Sequence, residues 1–453
     1  MKRIISLLSA ALLVAGSKAA DIRGYVVDAE TGEALAAANV FIKGSSAGTT
    51  ADVRGYFEIN VADGTELTAA YVGYTPSYFT AESSNKAIEV RLQRSTELRD
   101  VNVYGSRTNF GVQSSQMSAQ TLSATQIKQL PTVMGEADVM KSLQKLPGVQ
   151  SSSDGAAGIY VRGGNYDQNL ITLDGSTLYN SEHLKGFSSS IIPDMVDNVT
   201  FYKGAFPARY GSRLSSVVDV GLKEGDFENY HGNVNVGMLL SAIHAEGPIW
   251  KGHTSFNIAA RASYFNWIMQ PLLDKVYDNP NALKPYSKMN YYDLNAKFVH
   301  KFSDRDKLTA VVYWGKDVSD ASPSDSYKIY KGDDNDKSDY LLIKHSTINH
   351  WDNVMGSAYW THLFNNSFSL NVNANISHYL YYLKLSSLER TEKDIKEDSY
   401  ASFNSEINEA SLSTDFRLKR ESKHDIRWGI KGAYQWMLPQ VDTYSYILQG
   451  EAR

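Results

Sequence analysis

Residues spaced for covalent chemistry are few in this 453-residue chain. Gly44-Ser45-Ser46-Ala47-Gly48 matches the G-x-S-x-G pattern of a nucleophile elbow, which needs a strand before the serine and a helix after it. Here Thr49 to Ile59 lead into another β-prone run, so we predict a hairpin turn instead. The sequence has neither H-E-x-x-H nor G-x-x-x-x-G-K-S/T, and its ten histidines are scattered. We therefore predict a protein that is not an enzyme and has no catalytic residues, metal ligands or cofactor.

The first twenty residues have the pattern of a cleaved export signal. Lys2 and Arg3 precede the apolar run Ile4–Val14, and small residues follow at Ser17 and Ala19. That run is shorter than the ~20 residues that span a bilayer as a helix, and no later stretch is long and apolar enough. A membrane location would therefore require β-strands. The net charge of -5 gives no reason to expect a nucleic-acid partner. The 453 residues contain no cysteine, so they form no disulfides.

Residues 21–93 are predicted to form a β-sandwich. Short apolar runs alternate with turn-forming residues such as Asp28 to Gly32 and Ala62 to Gly64. The predicted strands are Ile22–Val27, Asn39–Lys43, Gly55–Val61 and Glu66–Val72. This segment contains no histidine, which argues against a zinc-dependent peptidase site.

Residues 121–225 are predicted to form a small α+β domain. Apolar residues recur every three or four positions from Thr132 to Leu146, which predicts a helix that ends at Pro147-Gly148. The strands that follow are separated by glycine turns. They are Ile159–Val161, Leu170–Leu173, Val199–Tyr202 and Ser216–Val220.

Residues 226–453 alternate apolar and polar side chains over long runs. From Phe368 to Ser377 every second residue is apolar and each intervening one is Ser or Asn. Such strands fit a transmembrane antiparallel β-barrel, although a soluble sandwich also alternates. Runs such as Tyr340–His362 exceed the ordinary strand length, and aromatic residues gather near the predicted strand ends. These features favour the membrane interpretation.

Connections between these predicted strands alternate between short and long. Short turns are predicted at Gly247–Gly252, Ser303–Asp306, Leu363–Ser367 and Lys419–Lys423, and long polar segments at Ile268–Ser287, Asp317–Asp339 and Ser386–Ser399. The alternation holds only if His231–Glu246 is a tight hairpin that turns near Gly237–Leu240. We predict this hairpin, which brings the count to about nine strands.

Three stretches resemble one family of proteins. IRGYVVDAETGEAL, from Ile22 to Leu35, resembles the carboxypeptidase regulatory-like domain. GIYVRGGNYDQNLITLDGSTLYN, from Gly158 to Asn180, and FYKGAFPARYGSRLSSVVDVGL, from Phe201 to Leu222, resemble the plug domain of TonB-dependent outer-membrane receptors of the Bacteroidota. The resemblance implies a mainly β protein with a sandwich, a plug and part of a 22-stranded barrel. It also implies energy-coupled import of a scarce ligand across the outer membrane.

The resemblance implies a coupling segment within the connector 94–120. Leu98, Arg99, Asp100, Val101, Asn102 and Val103 resemble a TonB box, which pairs as an added strand with a TonB-type energy-transducing protein. An ordinary linker strand would have the same pattern. The identity of the ligand and the presence of a surface lipoprotein partner stay open.

The resemblance also implies a contact between plug and wall. Plug arginines of the family pair with acids on the inner wall, which makes Arg162, Arg209 and Arg213 candidates for a plug–barrel lock, with surface charge as the alternative. The polar plug turns are candidate ligand contacts. They contain Gly163, Gly164, Asp174, Gly175, Gly204 and Gly211.

About nine strands, of 22 expected, would leave two open edges in lipid. We therefore expect the sequence to be an N-terminal part of a longer receptor, or its wall to be completed by a second polypeptide. A non-transporting surface adhesin is the alternative function.

Overall fold

The protein is mainly β in the parts that the structure describes. The computed structural model describes residues 19–43, 47–52, 54–82, 87–94, 119–129, 137–151, 157–276, 285–322, 327–330, 340–365, 367–391, 395–420 and 424–447. The chain divides into two compact units. Residues 1–115, with 365–369 and 417–427, form one, and the remaining residues form the other. The predicted signal peptide, residues 1–20, lies outside the described residues up to residue 18.

Two four-stranded sheets make up the N-terminal domain, which confirms the predicted β-sandwich and adds four strands to the four predicted. One sheet has the order β4-β1-β8-β6 and the other the order β3-β2-β5-β7. The strands are β1 Ala19–Asp28, β2 Asn39–Ile42, β3 Gly48–Thr50, β4 Tyr56–Ala62, β5 Glu66–Ala70, β6 Tyr74–Thr75, β7 Ser77–Thr80 and β8 Ile88–Arg94. Val26, Phe57, Leu67 and Leu92 are fully buried between the sheets, so alternation along each strand builds an apolar core.

The G-x-S-x-G motif joins two antiparallel strands. Phe41 of β2 pairs with Gly48 of β3, and the Ile42 N–H donates to the Ala47 carbonyl over 2.9 Å. Gly44 to Ser46 lie outside the described residues. Because a strand follows where the elbow needs a helix, the predicted hairpin is confirmed.

The α+β domain predicted at residues 121–225, which we call the plug after that resemblance, has a five-stranded sheet at its centre, in the order β13-β12-β17-β16-β9. Strands β12 and β17 are parallel and the other pairs are antiparallel. The elements are β9 Ala119–Ser123, α1 Ala124–Gln129, α2 Val139–Leu143, β10 Val149–Ser151, β11 Ile159–Val161, β12 Asn169–Leu173, β13 Ser176–Thr177, β14 Glu182–His183, β15 Ser188–Ser189, β16 Val196–Tyr202 and β17 Ser216–Leu222. All four strands predicted between residues 159 and 220 are present.

The helix predicted from Thr132 to Leu146 is shorter than its periodicity suggested. Asp138 is extended, with φ -130° and ψ 123°, and its carboxylate accepts the Lys141 N–H at the start of α2. Helix α2 therefore has one turn and a half. Residues 131–136 lie outside the described residues.

The remaining long strands form one antiparallel sheet, which we call the wall. Nine strands follow one another in the order β18-β19-β20-β21-β22-β24-β25-β26-β27, and β23 pairs with β24 beside this path. They are β18 His231–Val236, β19 Leu240–Trp250, β20 Thr254–Ser263, β21 Tyr286–Ser303, β22 Asp306–Ser322, β23 Tyr327–Tyr330, β24 Tyr340–Asn365, β25 Phe368–Thr391, β26 Ile395–Arg420 and β27 His424–Ile447. His231 pairs with Glu246, and the Gly237 N–H donates to the Leu240 carbonyl over 2.8 Å. The predicted hairpin and strand count are confirmed.

The predicted short turns between β19 and β20 and between β21 and β22 are present, whereas the other two lie partly outside the described residues, at 366 and 421–423. Almost all described residues of the three long polar segments form regular structure. A helix, α3 Phe265–Val276, occupies much of the segment predicted as a loop from Ile268 to Ser287. Strand β22 runs on to Ser322 inside the second segment, and β25 runs on to Thr391 inside the third. The prediction of loops was wrong here because ladder hydrogen bonds extend strands whether or not the side chains are apolar.

Alternation in the wall has the opposite meaning from alternation in the sandwich. Polar side chains such as Asn257, Asn295 and Thr309 are fully buried, while apolar ones such as Val312 and Ile376 are exposed. The polar row faces the plug and the apolar row faces away from it. No helix in the described part of the chain is long and apolar enough to cross a membrane.

Candidate functional site

A buried histidine of the plug lies between two aspartates of the wall. His183 ends β14, just before Leu184 and Lys185, which adopt left-handed φ values of 48° and 59°. Its Nε2 lies 2.8 Å from Asp293 Oδ1 on β21, and its Nδ1 is hydrogen-bonded to Asp317 Oδ1 on β22. The left-handed turn aims the ring at the wall, and the Leu184 N–H donates to the other Asp317 oxygen over 2.7 Å.

The His183 side chain is a cation in this environment. Neutral imidazole has one N–H donor, whereas both ring nitrogens here face carboxylate oxygens, so both need a proton. Burial alone would lower the pKa of His183, but Asp293 and Asp317 oppose it and raise that pKa to about 9. The imidazolium therefore persists at neutral pH. Its ring also stacks on Tyr291, with ring centroids 4.4 Å apart and planes 8° apart.

Arg261 on β20 supplies the second cation of this cluster. Its Nη2 donates to Asp293 Oδ2 over 2.6 Å and to the Ser189 carbonyl of the plug, also over 2.6 Å. The Tyr313 hydroxyl donates to Asp293 Oδ1 over 2.9 Å. Two carboxylates thus balance two cations, which is the condition for burying charge without a large penalty. We call His183, Arg261, Asp293, Asp317 and Tyr313 the upper cluster.

The Asp174-Gly175 turn makes a second charged contact with the wall. Lys297 Nζ on β21 lies 3.0 Å from Asp174 Oδ2 and donates to the Leu222 carbonyl over 2.6 Å. The Leu222 N–H in turn donates to Asp174 Oδ1 over 3.1 Å. Gly175 has φ +82°, and a Cβ placed on it would lie 2.7 Å from the Asn373 amide nitrogen of β25. The turn therefore needs glycine for its conformation and its close approach to the wall.

Between these two charged contacts, hydrogen bonds join the plug to the wall. Some connect two neutral groups, and others connect a neutral donor to a carboxylate. Thr177 Oγ1 and the Tyr179 hydroxyl donate to the Glu409 carboxylate over 3.2 and 2.6 Å. Further bonds join Ser176 to Asn375, Ser377 to the Thr177 carbonyl, and Asn353 to the Asn180 carbonyl. Plug residues 174–190 thus contact strands from β20 to β26. We call this segment the plug seam.

The three arginines predicted as a lock lie outside the plug seam. Arg209 donates to the Tyr210 hydroxyl over 2.7 Å, and Tyr210 donates to Asp219 of β17 over 2.6 Å. Arg213 donates to the Ser212 carbonyl, and its guanidinium lies 5.9 Å from the Tyr179 ring. Arg162 is exposed and left-handed, with φ 50°. These contacts lie within the plug, and pairing of the arginines with wall acids stays a prediction.

The predicted plug turns are tight, as their glycines require. Gly163 has φ +84° and Gly204 has φ +150°, both in the region that favours glycine. A Cβ on Gly164 would lie 2.4 Å from Ser215 Oγ, and Gly211 lies in open space. Their role in ligand contact stays a prediction. The TonB-box-like residues Leu98–Val103 lie outside the described residues.

Sequence reasoning missed the upper cluster and Lys297. Alternation along the strand could have pointed to them. Asp293, Asn295 and Lys297 occupy alternate positions of β21, on the row of side chains that faces the plug. Among the described residues, no group of three or more acidic or histidine side chains is arranged to hold a metal ion. The chemistry of the site is charge pairing and hydrogen bonding between two domains.

Comparison with known proteins identifies two domains of the chain. Residues 22–114 match the family described as the CarboxypepD_reg-like domain, and residues 111–218 match the TonB-dependent Receptor Plug Domain. These matches identify a CarboxypepD_reg-like domain and a TonB-dependent receptor plug domain within this chain, so the predicted resemblance is confirmed over residues 22–218.

Two curated relatives are similar over the same region. The TonB-dependent receptor SusC of Bacteroides thetaiotaomicron is 30% identical over 221 residues, which cover 45% of this chain and 21% of SusC. The TonB-dependent receptor P26 of Formosa agariphila is 32% identical over 218 residues, which cover 46% of this chain and 21% of P26. The chain spans about a fifth of the length of these relatives. Among solved structures, the ferric yersiniabactin uptake receptor FyuA from Yersinia pestis is 12% identical with a TM-score of 0.41, over 72% of this chain and 60% of FyuA.

Proposed function

We propose that this chain is part of an outer-membrane receptor that imports a scarce ligand into the periplasm by energy-coupled, TonB-dependent transport. The observation that carries the proposal is the polar fit between the plug seam and one face of the wall. A plug held by hydrogen bonds and ion pairs closes a pore, yet water can replace those contacts when the plug moves.

The apolar face of the wall supports the outer-membrane location. Leu294, Val312, Val354 and Ile376 point away from the plug and are exposed, so an apolar solvent must cover them. Strands satisfy their backbone groups by pairing with each other, which is the requirement for crossing lipid without helices. The N-terminal signal, residues 1–20, would direct the chain to export.

The coupling step is assigned to Leu98–Val103. In this proposal the segment 94–120 connects the sandwich, residues 21–93, to the plug, residues 121–225, and the wall follows at 226–453. An extended segment can donate its backbone N–H and C=O groups to the edge of a TonB-type partner sheet. Ligand binding from outside would release the segment, and force on it would rearrange the plug.

Deleting Leu98–Val103 from the full-length receptor tests the coupling step. We expect uptake to fall to background while ligand still binds to cells, because the plug, the wall and the outer loops are unchanged. A matched deletion of Ser106–Gly111 shortens the connector equally and should retain uptake. Val101→Pro, which removes one backbone donor, should reduce uptake more than Val101→Thr.

The alternative function, a surface adhesin without transport, predicts a different result. Ligand binding would then be complete without energy coupling, and neither the Leu98–Val103 deletion nor Val101→Pro would alter any ligand-dependent phenotype. Unchanged uptake in the deletion would contradict the transport proposal.

A further inference from the structure

Helix α3 carries an apolar face that no described residue covers. It follows β20 directly and has 12 residues. Trp267 is 75% exposed, Leu272 53% and Val276 66%, and Ile268 is exposed as well. Ile268, Leu272 and Val276 recur every four residues, so they lie in one row along the helix. Large apolar side chains gathered on one exposed row indicate a surface that is covered by something other than water.

The opposite side of α3 packs against the protein and is polar at its centre. Gln270 Nε2 donates to the Pro285 carbonyl over 3.1 Å and to Asp274 over 2.9 Å, and its Oε1 accepts the Ser287 N–H over 3.0 Å. At the start of the helix, the Phe265 ring packs in an edge-to-face arrangement against Phe187 of the plug, with ring centroids 6.1 Å apart. These contacts fix the rotation of the helix and leave the apolar row pointing away from its neighbours.

The length of strand β20 determines where α3 lies relative to the membrane. Strand β20 has 10 residues, which is the number that crosses the hydrocarbon of a bilayer when tilted about 45°. The exposed Trp250 lies at the β19–β20 turn, and the ring pair Tyr264–Trp267 lies at the opposite end, with centroids 5.9 Å apart. Aromatic residues at both ends of a strand of this length mark the two membrane boundaries. Helix α3 therefore begins at one boundary.

The residues of the exposed row have the chemistry of that boundary. Lys275 is exposed beside Leu272 and Val276, and a lysine next to apolar residues can reach lipid phosphates while its neighbours enter the acyl chains. The wall strands β24, β25 and β26 have 24 to 26 residues and continue well beyond the hydrocarbon, unlike β20. A helix above those strands would lie in water, whereas α3 lies where lipid is available.

We propose that α3 is an interfacial helix, which lies in the headgroup region of the outer leaflet and inserts its Ile268–Leu272–Val276 row into the lipid. The inference rests on the proposed placement of the wall in the outer membrane. The helix would hold the outer end of β20 at the membrane surface beside the plug residue Phe187. The ligand of this site is a lipid surface with anionic headgroups.

The absence of cysteine from the 453 residues permits a direct test. Single substitutions Ile268→Cys and Leu272→Cys place an environment-sensitive fluorophore on the exposed row, and Asp274→Cys places it on the opposite side of the same helix. Leu294→Cys, on the exposed face of β21, is the membrane reference. The receptor is folded into phosphatidylglycerol-containing vesicles in which some lipids carry a nitroxide at the headgroup end of the acyl chain.

The labels at 268 and 272 should lose about half of their fluorescence to the nitroxide lipid, because an interfacial helix lies about 5–10 Å into the boundary region. The label at 274 should lose much less. Quenching at 294 without quenching at 268 and 272 would overturn the inference and leave the membrane wall intact. No quenching at 294 would overturn the membrane placement itself. Two labelled positions on one row keep the test independent of a folding defect in either variant.

Discussion

The sandwich and the wall use the same alternation of side chains for opposite purposes. In the sandwich, Phe57 and Leu67 are fully buried between two sheets. In the wall, Asn295 and Thr309 are fully buried against the plug, while apolar residues such as Ile376 are exposed. A strand pattern therefore defines two faces but does not say which face is inside. That depends on the solvent, which in the proposed outer-membrane placement is water around the sandwich and hydrocarbon around the wall.

The two interfaces also differ in the free energy that holds them together. Burying apolar area contributes about 25 cal/mol per Å², and that contribution is lost in full when the surfaces separate. Hydrogen bonds and ion pairs contribute little net free energy when water can replace them. A few wall residues, such as Val311 and Met355, join the apolar core of the plug, but most of the seam is polar. These polar contacts fix the position of the plug, yet separating the plug from the wall requires little free energy.

The upper cluster gives the largest expected effect. We expect Asp293→Ala to reduce the free energy of unfolding of the plug and wall by about 3–5 kcal/mol, because it leaves His183 and Arg261 as buried cations with a single carboxylate, Asp317. Urea unfolding of the folded receptor in vesicles measures this loss. The unfolding transition of the sandwich, measured separately, should be the same in the variant and the wild type.

Asp352→Ala is the matched control for Asp293→Ala. Asp352 pairs with Lys316 over 3.3 Å on neighbouring wall strands, but both side chains are partly exposed. An exposed pair contributes about 0–1 kcal/mol, so this variant should unfold nearly as the wild type does. Equal losses in the two variants would show that the buried cluster has no special role in holding the plug.

A change of pH tests the same cluster without mutation. The pKa of His183 is about 9 in the folded protein and about 6.5 when unfolded, so the folded state binds the proton more tightly. Its stabilising contribution is complete below pH 6.5, declines as pH rises and is lost above pH 9. We expect the unfolding free energy of the plug and wall to fall across this range.

The variant His183→Gln isolates that dependence. It should be less stable than the wild type at pH 7, and its stability should be nearly constant between pH 6.5 and 9 because the titrating group is gone. Tyrosines and lysines that titrate at higher pH affect both proteins alike. An equal decline with pH in the variant would place the titrating group elsewhere.

Local signals account for the parts of the fold that the sequence predicted. The hairpin His231–Glu246 and the wall strand that begins at Phe368 were predicted from glycine turns and from alternation, which are properties of a few neighbouring residues. Helix α3 was missed because Pro271 lies inside it and proline disfavours a helix interior, and its tertiary contacts outweigh that propensity.

Local sequence patterns could not predict the contacts of the site. His183 is 110 residues from Asp293 and 134 from Asp317, and no spacing rule connects positions so far apart. The sequence did place Asp174 and Gly175 in a tight turn, but only the fold brings Lys297 to that turn. The three arginines were predicted from the resemblance to a family, whereas the wall residues that contact the plug seam are those that strand parity directs inward.

The smallest expected effect concerns a polar residue of the wall that has no partner. Both amide atoms of Asn295 are buried without a hydrogen-bond partner among the described residues. Leucine has a similar size, and an unpaired buried amide costs about 1–3 kcal/mol, so Asn295→Leu should leave the stability of the plug and wall unchanged or raise it. The reverse substitution in the sandwich, Leu67→Asn, should lower its stability, because it places an unpaired amide in an apolar core. Thermal unfolding of the two variants compares the regions directly. A destabilised Asn295→Leu variant would show that water occupies this part of the interface and that the seam is hydrated even when closed.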